Sequence, residues 1–196
     1  MIRADLITQA VRALSHDELV VYPTDTLYGL GADVLSDVAI INLYDAKGRD
    51  FLKPVSIACS DLDMMETFVY VDDCAAACID AFLPGPVTLL LKPRSIVPRS
   101  IMAGTGKLGV RIPANPTALA LISEFDSPIT ATSANRSGEA DPKTARDCTI
   151  PCAVVLDDGP SSGMGSTIVD LVDFDIVRQG VCFDEICTFL AKWSQV

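Results

Sequence analysis

The sequence contains a single histidine, His16, and this scarcity excludes much catalytic chemistry. A Ser-His-Asp triad or a Cys-His dyad needs an imidazole beside its nucleophile. His16 lies in the polar stretch SHDE, ahead of the first predicted strand, where a solvent-exposed histidine is the ordinary expectation. We therefore expect neither kind of active site.

Basic residues are also few, with 15 against 26 acidic residues in a chain of 196 and a net charge of −11. Because lysine and arginine hold nucleic-acid phosphates, direct RNA binding is not expected. No apolar run approaches the roughly 20 residues of a membrane span. The start, MIRADLITQAV, lacks a signal-peptide pattern because Asp5 and Gln9 interrupt it. These features predict a cytoplasmic protein that does not bind membranes.

The seven cysteines lack the two-residue gap that is typical of zinc sites. Cys74 and Cys78 are four residues apart, as are Cys148 and Cys152, and nothing in the sequence indicates secretion. We expect free thiols in a reducing compartment and no metal ion bound by the protein alone.

Apolar spacing predicts one α/β domain that spans residues 1–196. Helices are expected at 4–14, from a cap at Ser36 or Asp37 to about Ala46, and at 62–68, 73–82, 116–125 and 184–192. Strands are expected at 20–22, 55–59, 87–92, 108–112, 129–132, 153–156, 167–171 and 176–178. Since the strands are apolar and intermixed with helices, helices should cover both faces of the sheet.

Five polar segments follow predicted strands or helices, namely PTDT, KGRDFLK, GVRIP, TSANRSG and GMGST. Turn chemistry explains any one of them, but five together suggest a binding site. After PTDT, we expect Gly29 and Gly31 to let the backbone turn.

Three basic residues, Lys47, Arg49 and Lys53, fall within the segment KGRDFLK. They can neutralise a polyphosphate, or they can form a solvated helix end, where cations are favoured by the helix dipole. Neither a Walker motif nor a Rossmann fingerprint is present, so a nucleotide would be held by other loops.

For two further segments, the sequence allows both a structural role and a ligand-binding role. Arg111 lies in the apolar strand LGVRIP, where it either faces solvent, the commoner case, or meets a carboxylate. Ser133 and Asn135 in TSAN either form a turn or hydrogen-bond a ligand.

In order and spacing, PTDTLYGLG, KGRDFLKPVS, LPGPVTLLL, VRIP, TSANRSG and STIVDL resemble the YrdC-like (TsaC) family of threonylcarbamoyl-AMP synthases, from about residue 20 to 180. The resemblance implies a twisted, mostly parallel open sheet around a large central cavity. It implies that L-threonine, bicarbonate (or CO2) and ATP, with Mg2+, give threonylcarbamoyl-AMP and pyrophosphate. A tRNA threonylcarbamoyl transferase complex would then modify adenosine 37 of tRNA.

The resemblance also implies site residues. The implied threonine-side or carbamate-side contacts are Thr26, Arg111 (on the carboxylate), Ser133 and Ser166. The implied ATP contacts are Lys47, Arg49, Lys53, Asn135 and Arg178, with Lys47 and Arg49 in the catalytic role. Asp25 would support its loop or help to place Mg2+.

The chain departs from the family pattern in three places. Asp141-Pro142-Lys143 replaces the usual Ser-Pro-Thr, Arg178-Gln179-Gly180 replaces Arg-Pro-Gly, and Ala58 stands where many long members have histidine. The length resembles the short form without an extra C-terminal domain. The alternative is a non-catalytic RNA-binding module of the same fold, which the net charge of −11 disfavours.

Overall fold

A computed structural model describes residues 4–193, which form seven α-helices, one short 3-10 helix (Ala145–Asp147) and nine strands. The helices are Ala4–Leu14 (α1), Asp37–Lys47 (α2), Leu62–Phe68 (α3), Asp73–Phe82 (α4), Arg99–Met102 (α5), Pro116–Phe125 (α6) and Phe183–Trp193 (α7). The strands are Val20–Tyr22 (β1), Gly29–Gly31 (β2), Ser56–Ala58 (β3), Val87–Leu91 (β4), Leu108–Arg111 (β5), Ile129–Ser133 (β6), Val154–Val155 (β7), Thr167–Asp170 (β8) and Asp175–Arg178 (β9).

The predicted helices and strands are all present, with ends within one residue of those expected. Three short elements were not predicted, namely helix α5, the 3-10 helix Ala145–Asp147 and strand β2. The expectation that Gly29 and Gly31 form a turn is wrong, because they pair with β1 as a strand. Glycine is required at position 29, since a Cβ there would lie 2.6 Å from Cζ of Tyr22.

The strands form one open sheet in the order β7-β1-β2-β6-β3-β5-β4-β8-β9, which confirms the α/β class. The sheet is mixed. Three of its eight pairings are parallel and five are antiparallel, which corrects the expected parallel majority. Short connections account for part of this, because β1–β2 and β8–β9 are hairpins, and hairpins join antiparallel strands.

Helices lie on both faces of the sheet, as expected. On one face, alternate strand residues such as Val21, Ile57 and Val110 pack in a core with α2, α3 and α4. On the other face, Val20, Tyr22 and other residues pack against α1 and α6 in a second, smaller core. Within residues 4–193, no helix has the length and apolar character needed to cross a bilayer.

Candidate active site

A cavity of about 200 Å³ opens on the sheet face that also carries α1 and α6. Eight of the nine strands contribute to its lining, through Tyr22, Gly29, Ser56, Thr88, Arg111, Ala131, Ser133, Ile168 and Arg178. Strand pairing places these residues in register, as in Tyr22 with Gly29, Gly29 with Ser133, and Ile168 with Arg178. Since side chains alternate along a strand, their neighbours fill the core on the opposite face. The expected large central cavity is therefore found on one face of the sheet.

Arg111 lies on the cavity side of β5, whereas the preceding residue, Val110, lies in the core. The side chain is buried, with 7% of the residue exposed, so the solvent-facing alternative is wrong. Its Nη2 donates to Oδ1 of Asp25 at 2.7 Å, and its Nη1 donates to Oγ1 of Thr26 at 3.0 Å. Asp25 is not part of the cavity lining, and through Arg111 its carboxylate links the loop after β1 to β5.

A chain of hydroxyl groups continues from Arg111 into the loop after β1. Oγ1 of Thr26 lies 2.9 Å from Oγ1 of Thr24, which in turn donates to the carbonyl oxygen of Leu27 at 2.6 Å. Since Thr24 uses its proton on Leu27, Thr26 donates to Thr24 and accepts from Arg111. Both threonines are buried and line the cavity, so their hydroxyl groups are held in fixed orientations in its wall.

A second polar group of the wall consists of Thr88, Ser166 and Arg178. The Oγ atoms of Thr88 and Ser166 lie 2.9 Å apart, and Nη2 of Arg178 donates to the hydroxyl and the carbonyl oxygen of Ser166, both at 2.9 Å. The sequence reasoning missed Thr88. Thr88 could have been recognised as a candidate, because it is the one polar residue of the strand VTLLL and lies between the core residues Val87 and Leu89.

Lys47 is the last residue of α2 and is buried, with 2% exposed, so it is not a solvated helix end. Its ammonium group donates to the carbonyl oxygens of Ser133 and Asn135. The pKa of Lys47 is lowered to about 8, mainly by burial and also by the charge of Arg49, while the charge of Asp141 opposes both effects.

The Ser-x-Asn segment after β6 forms a turn, and its serine also lines the cavity. Oγ of Ser133 donates to Oδ1 of Asn135 at 2.5 Å, and Nδ2 of Asn135 donates to the carbonyl oxygen of Glu139 at 2.8 Å. Asn135 is buried behind the lining, so its amide braces the turn in this structure.

The three basic residues of the segment KGRDFLK lie in different surroundings, because α2 ends at the first of them, Lys47. Arg49 lines the cavity, and its Nη2 donates to the carbonyl oxygen of Pro54 at 2.8 Å. Lys53 is exposed and is not part of the lining, although its carbonyl oxygen accepts from Nε of Arg49 at 3.5 Å. The structure therefore brings Arg49 to the site and Lys47 close behind it, but it does not bring Lys53 there.

Other candidate groups lie apart from the cavity. His16 is exposed beyond α1, with Nδ1 2.7 Å from the carbonyl oxygen of Arg12. All seven cysteines are free, and Cys59, Cys74 and Cys78 are buried. Across residues 4–193, no group of three or more histidine, cysteine, aspartate or glutamate side chains is placed to hold a metal ion.

Comparison with known proteins gives the family. A model of the Sua5, YciO and YrdC proteins, described as "Telomere recombination", matches residues 12–180. The chain belongs to this family. A Bacillus subtilis protein named threonylcarbamoyl-AMP synthase is 37% identical over 85% of this chain and 50% of its own length. A Methanocaldococcus jannaschii protein named putative threonylcarbamoyl-AMP synthase is 35% identical over 87% of this chain and 83% of its own.

A solved structure of P. abyssi Sua5 complexed with L-threonine has the same fold, with a TM-score of 0.84 and 34% identity. The match covers 89% of this chain and 54% of the Sua5 chain. This chain thus spans about half the length of the Bacillus and P. abyssi relatives.

We expect Lys47 to titrate near pH 8, because burial lowers its pKa below the ordinary 10.5. Since this pKa lies below that of the unfolded chain, the lysine's contribution to folding stability increases with pH between these two values. NMR of protein carrying ¹³C-labelled lysine Cε would show one signal with a midpoint near pH 8. The Lys47→Arg variant should lack it. A spectrum in which every lysine titrates above about pH 10 would contradict the prediction.

Proposed function

We propose that this protein is a nucleotidyltransferase that converts L-threonine, bicarbonate (or CO2) and ATP to threonylcarbamoyl-AMP and pyrophosphate. One observation carries the proposal: a single cavity combines a buried arginine held on a threonine hydroxyl with further arginines and a low-pKa lysine beside them. Membership of the family and the names of the relatives support a synthase, and they do not support the RNA-binding alternative.

Arg111 and Thr26 would bind threonine. Although Arg111 is ion-paired with Asp25, its buried Nε has no hydrogen-bond partner within residues 4–193. A carboxylate is the natural partner for the free edge of a guanidinium group, because the two planar groups match. The threonine complex of P. abyssi Sua5 is consistent with such a subsite.

Arg49, Lys47 and Arg178 would bind ATP. The charge of Arg111 acts on Arg178, the charge of Arg49 acts on Lys47, and the charge of Asp141 acts on both Arg178 and Lys47. Lys47 uses its ammonium protons on two carbonyl oxygens, and a lysine ammonium has three protons to donate. The cations would neutralise phosphate charge, while the hydroxyl groups of Ser133 and Ser166 would contact the threonine or the carbamate.

The chemistry requires positioning and charge neutralisation more than a strong base. The threonine amine attacks the carbon of CO2 and loses a proton, which leaves a carbamate. A carbamate oxygen then attacks the α-phosphorus, the bond from that phosphorus to the bridging oxygen breaks, and pyrophosphate leaves. Fixed hydroxyl groups and arginines can orient both partners and stabilise the charge that develops.

The carboxylate of Asp141, which lines the cavity beside these cations, fits a Mg2+ ion that arrives with the triphosphate. Mg2+ would supply charge neutralisation at the phosphates. The product would pass to a tRNA threonylcarbamoyl transferase complex, which modifies adenosine 37.

The proposal is tested by incubating the protein with ATP, Mg2+, bicarbonate and L-threonine and measuring pyrophosphate. We expect pyrophosphate to form only when threonine is present, since the carbamate oxygen is the nucleophile. Mass spectrometry should detect threonylcarbamoyl-AMP in the same mixture. If pyrophosphate release is no greater than in the control without threonine, the proposed function is wrong.

Arg111→Lys should weaken threonine binding and leave ATP binding nearly unchanged. Lysine keeps a positive charge for Asp25 but loses the planar fork, so KM for threonine should increase at least about tenfold. Thermal unfolding would verify that the variant is folded. Equal threonine affinity in the two proteins would remove this role from Arg111.

Arg49→Ala and Lys53→Ala form a matched pair, because both remove one positive charge from the same segment and only Arg49 lines the cavity. Loss of one charge-assisted contact should weaken ATP binding about tenfold in Arg49→Ala. Lys53→Ala should bind ATP almost as the unaltered protein does. An equal loss in both variants, measured by calorimetry, would indicate that only the general charge of the segment matters.

A further inference from the structure

Asp141 is the one acidic residue among the cavity-lining residues of the described chain. It is exposed to solvent, and its carboxylate makes neither a hydrogen bond nor an ion pair with any residue of 4–193. A carboxylate without a partner, in a cavity rich in arginine, is available to a ligand.

The backbone around Asp141 is held in place. The carbonyl oxygen of the next residue, Pro142, accepts a hydrogen bond from the backbone nitrogen of Tyr28 at 3.0 Å. The carbonyl oxygen of Lys143 accepts from the backbone nitrogen of Ser161 at 2.9 Å. Because Tyr28 lies just ahead of β2 and lines the cavity, the segment that follows Asp141 is attached to the cavity wall. The fold therefore keeps the backbone of Asp141 beside the cavity.

The charge of Asp141 acts on both cationic groups of the site. Burial lowers the pKa of Arg178, and Asp141 opposes that change, as it does for Lys47. Asp141 also lines the same cavity as Arg49 and Arg178, which would hold the triphosphate of the proposed reaction. A free triphosphate would be repelled by its carboxylate, since like charges at short range repel each other.

A divalent cation changes the sign of this interaction. Mg2+ takes oxygen ligands, keeps several waters, and is commonly held by one or two carboxylates together with substrate phosphates. The described residues hold no group of three potential metal ligands, so Asp141 and the phosphates would have to share the ion.

We propose that Asp141 makes this site select the Mg2+ complex of the nucleotide over the free nucleotide, because its carboxylate is an oxygen ligand of the phosphate-bound ion, directly or through a water. The inference rests on the proposed function and adds a residue that contacts the ion.

The test is a binding cycle that uses α,β-methylene ATP, an analogue with an uncleavable α–β bond. Its Kd is measured by calorimetry in millimolar Mg2+ and in EDTA, for the unaltered protein, Asp141→Asn and Asp141→Ser. We expect Asp141→Asn to weaken binding of the Mg2+ complex and to strengthen binding of the free analogue. The Kd in EDTA divided by the Kd in Mg2+ should then fall about tenfold, which corresponds to the loss of one charge-assisted contact. Asp141→Ser should show the same two changes as Asp141→Asn. It could bind the free analogue more tightly than Asp141→Asn does, because a hydroxyl can donate to phosphate.

Glu139→Gln is the matched control, since it removes the same charge from the same loop outside the cavity lining. Its Kd ratio should equal that of the unaltered protein. An unchanged ratio in Asp141→Asn, or an equal fall in Glu139→Gln, would overturn this inference and leave the proposed function standing. If the unaltered protein binds the analogue in neither condition, the proposed function and this inference both fail.

Discussion

The ion pair between Arg111 and Asp25 is the interaction on which the rest of the site depends. In the sheet, β2, β6 and β3 separate β1, which precedes Asp25, from β5, which ends at Arg111. The loop after β1 must therefore cross the sheet face above these three strands to reach Arg111, and in doing so it encloses the cavity. Removing one partner from a buried ion pair leaves an uncompensated charge, at a cost of about 3–5 kcal/mol. The pair thus both closes the cavity and fixes its wall.

The same guanidinium group orients the polar atoms that face the cavity. It donates to Thr26, which is linked to Thr24, so the loop conformation and the direction of these hydroxyl groups are set together. On the neighbouring strand β4, Thr88 is joined to Ser166 and, through it, to Arg178. Groups held in this way need little reorganisation when charge develops on a substrate, which is the main source of electrostatic catalysis.

Local features of this protein could be predicted from sequence, and features set by long-range pairing could not. Helix and strand ends follow from apolar periodicity and from caps such as Ser36, whose Oγ accepts from the backbone nitrogen of Ala39. The environment of Arg111 could not be predicted, because Asp25 is distant in sequence and the strand order decides which loop reaches it. Lys53 was grouped with Lys47 by sequence distance, but the left-handed turn at Gly48 ends α2 and separates them. Resemblance to a family supplied the remaining site residues.

The distribution of charge is compatible with the anionic substrate of the proposed reaction, although the protein as a whole is acidic. With a net charge of −11, the overall field opposes the approach of a triphosphate, but salt screens that field over roughly 8 Å at physiological ionic strength. Inside the cavity the nearby charges matter most. Arg111 is paired with Asp25, while Arg49 and Arg178 line the cavity together with one carboxylate, that of Asp141, and Lys47 lies behind them. These cations favour phosphate, and the carboxylate leaves one oxygen ligand for a cation. A nucleotide that brings its own divalent ion reduces the repulsion from the protein as a whole and from Asp141 in particular. The acidity of the chain and the carboxylate in the cavity therefore favour the same form of the substrate.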